Sequence, residues 1–295
     1  MIARARELID RAKALAPTAM AWRQVRAAVR YGRLRGNRLA GAVSFYGFVS
    51  LFPLLALASA IAVRVVGDQG VATLQTIVDE NLPGLELDVS IFAAQAGTIG
   101  LIGGIALLWT GLLWVDATRA SVRSMWELDD APGNFVVRKL VDLAVLIGLG
   151  AIILISFAAT AMVDAVADHV LEWLGIDGGF AAFGSRALAL TLAITSSSVL
   201  FGYLLAGLPR IPIPPKVLLV AALVGGLAYE VLKQLVTQFA ILVTPNTTYA
   251  IFAVPLALLA WIYLVTRLLM SLAAATAEWR LDDPTEAPAT APASP

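Results

Sequence analysis

The chain contains no cysteine and a single histidine, His169. Without thiols there are no disulfides, no thiolate metal sites and no cysteine nucleophile. With one imidazole, neither a histidine-based catalytic triad nor a multi-histidine metal centre can be assembled within one chain, and His169 reads as a solvated loop residue. Glycine patterns that cradle phosphates or dinucleotides are absent as well. Charge is scarce: Asp, Glu, Lys and Arg make up 14% of the 295 residues while 59% are apolar, against about 25% charged in a soluble domain. So much apolar surface cannot hide in one globular core, and most of it must face lipid. Neither a cofactor, a metal nor a nucleic-acid partner is expected, and the composition does not point to an enzyme.

What the sequence does have is a series of long apolar runs. A helix crossing about 30 Å of hydrocarbon needs about 20 mostly apolar residues, and six stretches qualify: 39–63, 98–118, 140–163, 184–207, 217–241 and 250–275. The run 140–163 is apolar on every face except at Asp142, which leaves no polar side for water. The expected fold is all-α, a polytopic bundle of six spanning helices. A basic amphipathic segment (1–38) precedes the transmembrane domain (39–279), and a Pro/Ala/Thr-rich tail (280–295) is expected to be disordered. Ala58-Ser59-Ala60 imitates a signal-peptide cleavage site, but the basic stretch before it is far too long for one.

The net charge of zero conceals an uneven distribution: ten of the 21 basic residues precede residue 39. The stretch 67–97 carries Asp68, Asp79, Glu80, Glu86 and Asp88 with no Lys or Arg, and the third loop carries Asp164, Asp168, Glu172 and Asp177. Arg119, Arg123, Arg138, Lys139, Arg210 and Lys216 occupy the alternate connections. Basic connections stay inside, so both termini are expected in the cytoplasm and the acidic loops outside.

Residues 18–35 read as a helix lying on the membrane, with Trp22, Val25 and Val29 beside a row of Arg23, Arg26, Arg30 and Arg33. Such a row suits anionic headgroups, although topology alone asks for the same arginines. In the fifth span Glu230, Lys233, Gln234, Thr237 and Gln238 form one polar stripe. A charge in mid-membrane costs about 2.5–3.5 kcal/mol on insertion scales, so Glu230 and Lys233 should pair or line an aqueous cavity. The stripe is either a substrate contact or the polar end of a short helix whose lysine snorkels outward. The first span adds Ser44, Tyr46 and Ser50, and the last adds Tyr263 and Arg267; Pro53 and Pro255 are candidate bends. A cavity between the first, fifth and sixth spans would gather these groups. Trp109, Trp114 and Trp126 fit an interfacial aromatic belt. Glu127, Asp129 and Asp130 are acidic enough for a carboxylate metal site, but their basic neighbours Arg119, Arg123, Arg138 and Lys139 favour surface ion pairs. The glycine pairs at 103–104 and 225–226 are slender evidence for a duplicated transporter half.

Several stretches resemble the YihY/BrkB-like inner-membrane family. Ala42-Val43-Ser44-Phe45-Tyr46 followed by Ser50-Leu51-Phe52-Pro53-Leu54 looks like its opening signature. Gly111 to Val115, Trp126, Asn134-Phe135 and Arg138-Lys139-Leu140 with Asp142 resemble its cytoplasmic turn, and Tyr249 to Leu259 with Trp261 and Tyr263 its last helix. The chain departs from the family's Gly-Ala-Glu run, where Glu278 is the matching acid, and has Ser124 where many members carry asparagine. The resemblance implies six helices in the cytoplasmic membrane and no reaction. An older labelling of members as a tRNA-processing ribonuclease finds no support in these residues, and export of lipid has been tied to other members. The leading expectation is a transporter or flippase-like protein for lipid or another amphiphile, with membrane lipids as partners. The alternative is a scaffold that recruits protein partners, a second copy or anionic lipid through its basic head.

Overall fold

A computed structural model of the chain describes residues 19–65, 67–81, 88–93, 96–131, 133–152, 155, 179–242 and 250–280. The acidic positions Glu86, Asp164, Asp168, Glu172 and Asp177, His169, most of the tail and most of the 140–163 run beyond residue 152 lie outside the described residues. Among the described residues every regular element is helical. In chain order these are α1 (Ala19–Arg33), α2 (Gly36–Val65), α3 (Asp68–Asn81), α4 (Ser90–Ala93), α5 (Ala96–Met125), α6 (135–152), α7 (Gly179–Gly202), α8 (Pro215–Leu242) and α9 (Ala250–Arg280). A π-helical turn, Tyr203–Gly207, continues α7.

Four stretches among the described residues are long and apolar enough to cross a bilayer: Gly36–Ile61, Ala189–Gly207, Pro215–Gln238 and Pro255–Trp279. They coincide with the first, fourth, fifth and sixth apolar runs. The second run lies inside α5, a 30-residue helix that continues past the apolar stretch to Met125. It continues because Thr118, Ser121, Val122 and Met125 are buried against other helices, so protein replaces lipid around that end. α2 and α9 both run unbroken past Pro53 and Pro255.

The helices wrap in a fixed order. α2 lies along α5, α7 along α8, and α9 touches α1, α2, α5 and α8. The core is built where they meet, from Ala40, Val115, Val122, Phe201, Leu205, Leu208 and Leu269, with Met270, Ala273, Ala274 and Ala277 along α9. Alanines on α9 let neighbouring backbones approach closely, which is how helices associate where lipid offers no hydrophobic drive. At the crossing of α7 and α8, a Cβ on Gly226 would lie 2.7 Å from the Ile194 carbonyl oxygen and collide with the Ser198 hydroxyl. Gly225-Gly226 therefore marks a helix contact. Outward, Ile102, Ile105, Leu108, Ile147, Leu190, Leu223, Leu227 and Leu235 are exposed, an apolar belt suited to hydrocarbon.

At one end α3 folds back on α2, with Leu55, Val78 and Val89 buried together and the Val89 amide donating to Gln75 Oε1 at 2.8 Å. At the opposite end α1, the close of α5, the Pro209 region and the close of α9 meet. Arg30 donates to the Met125 carbonyl at 3.0 Å, and Arg123 to that of Pro209 at 3.0 Å. The basic connections thus gather at one end of the bundle, and the acidic α2–α3 hairpin lies at the other.

Candidate functional site

The polar stripe on α8 begins one turn beyond the glycine pair. Glu230 is buried at 6% exposure. Its Oε2 meets Lys233 Nζ at 2.9 Å, and its Oε1 accepts from the Ser197 hydroxyl of α7 at 3.0 Å. Lys233 Nζ also stands 5.8 Å from the Tyr229 ring centroid, and Tyr229 lies between Phe201 of α7 and Trp261 of α9 at 6.2 and 5.8 Å. The pair expected from spacing is therefore present, and a second helix, α7, supplies a hydroxyl that spacing could not reveal. Paired charges and a ring face lower the desolvation cost of leaving water.

The remaining stripe residues diverge. Gln234 and Gln238 are exposed, and half-buried Thr237 donates to the Lys233 carbonyl at 2.9 Å. Ser44 and Ser50 donate to the Gly41 and Gly47 carbonyls within α2, both at 2.9 Å. A serine bonded to its own helix turn has no hydroxyl proton left for substrate. Tyr46 and Tyr263 are half-buried, and exposed Arg267 places its charge near the Tyr31 hydroxyl of α1, which donates to Asn37 Oδ1 at 2.7 Å. The expected cavity between the first, fifth and sixth spans does not gather these groups. α8 packs on α7 and α9 while α2 packs on α5 and α9, so α9 stands between the two sets.

The arginine row of α1 needs a larger correction. Arg30 is turned inward at 7% exposure, where its Nε donates to Glu278 Oε1 at 2.6 Å and its Nη1 to Glu127 Oε2 at 3.0 Å. Arg33 grips Glu127 with both Nη atoms, at 2.8 and 2.9 Å, and Arg26 Nε lies 3.4 Å from Glu278 Oε2. These arginines clamp α1 onto the bundle, and a buried Arg30 cannot reach headgroups. The Arg33 hydrogen bonds, with help from Arg30, hold the Glu127 carboxyl below its usual range, and the same contact pushes the Arg33 guanidinium up. Burial pushes the Tyr31 hydroxyl up, against the opposing charge of Arg267.

Glu127 sits in the left-handed region at φ 56. It stands two residues past Met125, the end of α5, where Leu128 N–H bonds the Arg123 carbonyl and Glu127 N–H that of Ser124. This is the Schellman closure that glycine ordinarily occupies. A carboxylate there tolerates the strain of about 1–2 kcal/mol and receives two arginines. Of the acidic cluster, Glu127 ends in ion pairs, with α1 rather than with its sequence neighbours, while the Asp129 carboxylate accepts from the Ala131 amide at 3.1 Å.

A second charged group joins α5 to α6. Arg119 Nη1 donates to Asp142 Oδ1 at 3.1 Å and its Nη2 to Asp116, while Lys139 Nζ reaches Asp116 at 3.4 Å and Asp142 at 3.8 Å. Asp142 is 1% exposed. Two spacings of three residues, Asp116 to Arg119 and Lys139 to Asp142, were the available sign of it. Of the three tryptophans expected in the belt, Trp109 is exposed, at 70%, while Trp126 is buried and Trp114 packs against Gly47 of α2. The expected belt reduces to one residue because the other two fill helix contacts.

Long apolar helices, a lipid-suited outer surface and, among the described residues, buried charges that all have partners define a multi-pass membrane protein. The chain belongs to the family described as virulence factor BrkB, which matches residues 27–294. It is similar to the inner membrane protein YhjD of Escherichia coli (strain K12), 27% identical over 283 residues that cover 88% of this chain and 82% of the relative. It is also similar to an uncharacterised protein of Dickeya dadantii (strain 3937), 27% identical over 280 residues, 90% of this chain and 85% of that one. No solved structure matches the chain.

Proposed function

We propose that the chain is a six-span protein with both termini in the cytoplasm that moves a lipid or another amphiphile across the inner membrane, using Glu230 and Lys233 to meet the headgroup. The observation that carries this reading is the Glu230–Lys233–Ser197 group, buried within a helix that has the length and apolarity of a spanning segment. Ionisable groups at such depth are costly and mark function by default. The orientation draws support from the gathering of Arg30, Arg123 and the Pro209 region at one end, since basic connections stay inside. The scaffold reading loses weight because Arg30 and Arg33 are engaged with Glu278 and Glu127 rather than presented outward.

The test is translocation of a labelled phospholipid between leaflets of proteoliposomes, with wild type beside Glu230→Ala/Lys233→Ala. Removing both partners leaves no unpaired charge, so the variant should insert and fold. Translocation by wild type alone supports the reading; translocation by both removes the pair from the mechanism, and translocation by neither turns attention to other solutes and to the scaffold.

A further inference from the structure

Glu230 and Lys233 neutralise each other within a single turn of α8, at 2.9 Å, and the second carboxylate oxygen of Glu230 accepts from Ser197 at 3.0 Å. A headgroup entering this group replaces the internal pair, so it must leave neither buried charge alone. Removing one partner of a buried pair is costly because the other is left uncompensated. An anionic headgroup would satisfy Lys233 and strand Glu230, a cationic one would do the reverse, and neutral hydroxyls would match neither. Charge balance therefore selects a zwitterion, with a cation for Glu230 and an anion for Lys233.

The kind of cation follows from hydrogen bonding. Glu230 Oε2 receives its N–H donor from an ammonium, and a primary ammonium replaces that donor whereas a trimethylammonium has none to give. Quaternary ammonium groups are recognised by cages of aromatic rings. Among the described residues the Tyr229 ring alone stands within such reach of Lys233 Nζ, at 5.8 Å.

The stripe also supplies a way in. Gln234 and Gln238 stand one and two turns beyond Glu230 in the same column of α8, and both are exposed. At 1.5 Å per residue, Glu230 lies about 22 Å and Gln238 about 35 Å along the axis from Pro215, against about 30 Å of hydrocarbon. The column thus leads from the buried pair to the interface at the end of α8 away from Pro215. The Lys233 side chain keeps 18% exposure, and since both charges sit on one helix, parting them asks for side-chain rotation only.

We propose that this pair takes a zwitterionic headgroup, a primary ammonium joined to a phosphate, which enters past Gln238 and Gln234. Its ammonium goes to Glu230 and its phosphate to Lys233, while the Ser197 hydroxyl stays on Glu230 Oε1, since only Oε2 changes partner. This rests on the reading of the pair as the headgroup contact, and it narrows the substrate from lipids in general to those with the headgroup chemistry of phosphatidylethanolamine.

The experiment uses the full chain in proteoliposomes and follows phospholipids labelled on an acyl chain, so that each headgroup is intact. Phosphatidylethanolamine is expected to cross faster than phosphatidylglycerol or phosphatidylcholine by roughly ten-fold or more, because the first competitor leaves Glu230 without a cation and the second leaves it without a donor. Glu230→Gln keeps the shape of the site but leaves Lys233 without its acid, and should turn the preference toward phosphatidylglycerol. Binding is read apart from movement, with phosphatidylethanolamine photoactivatable close to the headgroup, in nanodiscs, and adducts mapped by mass spectrometry. Adducts should concentrate on residues 230–238 over exposed Leu219 and Leu223 near the other end of α8. Unlabelled phosphatidylethanolamine should displace them where unlabelled phosphatidylglycerol does not. Selective adducts without movement would support the headgroup site and remove the transport reading. Movement of either competitor as fast as phosphatidylethanolamine would leave transport standing and overturn this proposal. So would adducts no denser on 230–238 than at Leu219, or an unchanged preference in normally folded Glu230→Gln.

Discussion

The Nε of Arg30 donates to the carboxylate of Glu278 across 2.6 Å, joining two buried residues 248 positions apart. Both Oε atoms of Glu278 face arginines of α1, and the same Arg30 reaches the carbonyl that closes α5. One guanidinium therefore ties the N-terminal helix to the ends of two others.

Removing one member of this pair takes from a buried charge its shortest contact, leaving Arg30 with Glu127 and the Met125 carbonyl, or Glu278 with Arg26. Arg30→Ala or Glu278→Ala is expected to destabilise the protein by about 3–5 kcal/mol, and Arg30→Met/Glu278→Met by less than either single change. Thermal unfolding of the detergent-solubilised variants measures both. A double variant as damaged as the singles would mean that the contact to Met125 carries the effect instead.

The docking of α1 should depend on acid in a definite sense. The folded pKa of Glu127 lies below its unfolded value because Arg33 donates to the charged form. The contribution is present above the ordinary carboxylate value, about 4.3, and is lost as pH falls through the folded value. Hydrogen exchange of the α1 amides should therefore rise below about pH 4 in wild type. It should be faster and less dependent on pH in Glu127→Gln. Equal profiles for the two proteins would detach Glu127 from α1.

Gly226→Ala is expected to cost about 1–3 kcal/mol through overpacking, because its Cβ would press on the Ile194 carbonyl oxygen, a backbone atom that cannot step aside. Gly104→Ala is the control, with nothing within 4 Å of the added carbon, and should stabilise α5 by about 1 kcal/mol. The two melting temperatures should move in opposite directions.

Asp142→Ala leaves Arg119 buried with only Asp116, which is itself partly exposed. The loss of a buried partner predicts about 3–5 kcal/mol of destabilisation, seen as lower yield and earlier unfolding. Lys139→Ala removes the longer contacts, at 3.4 and 3.8 Å, and should cost clearly less.

The spanning helices were legible because apolar length is a local property, and the first, fourth, fifth and sixth runs coincide with helices able to cross a bilayer. The Glu230–Lys233 pair was legible for the same reason, its members standing one turn apart. Arg30 was not. Periodicity gives α1 a basic face but says nothing of what that face meets, and its partners Glu127 and Glu278 lie 97 and 248 residues away. The Ser44–Tyr46–Ser50 face failed for a related reason, since a polar face on a helix does not reveal whether its hydroxyls are already bonded to the helix itself.

The Arg30–Glu278 contact also has a bearing on time. A ribosome adding about 5–20 residues per second needs roughly 12–50 s to travel the 248 residues between them. For most of that interval α1 and its first acidic partner, Glu127, have been made and Glu278 has not. The clamp is completed only when α9 has been made, so a nascent chain stalled short of Glu278 carries a basic helix held by Glu127 and the close of α5 alone. Proteolysis should reach α1 more readily in such unfinished copies than in finished ones.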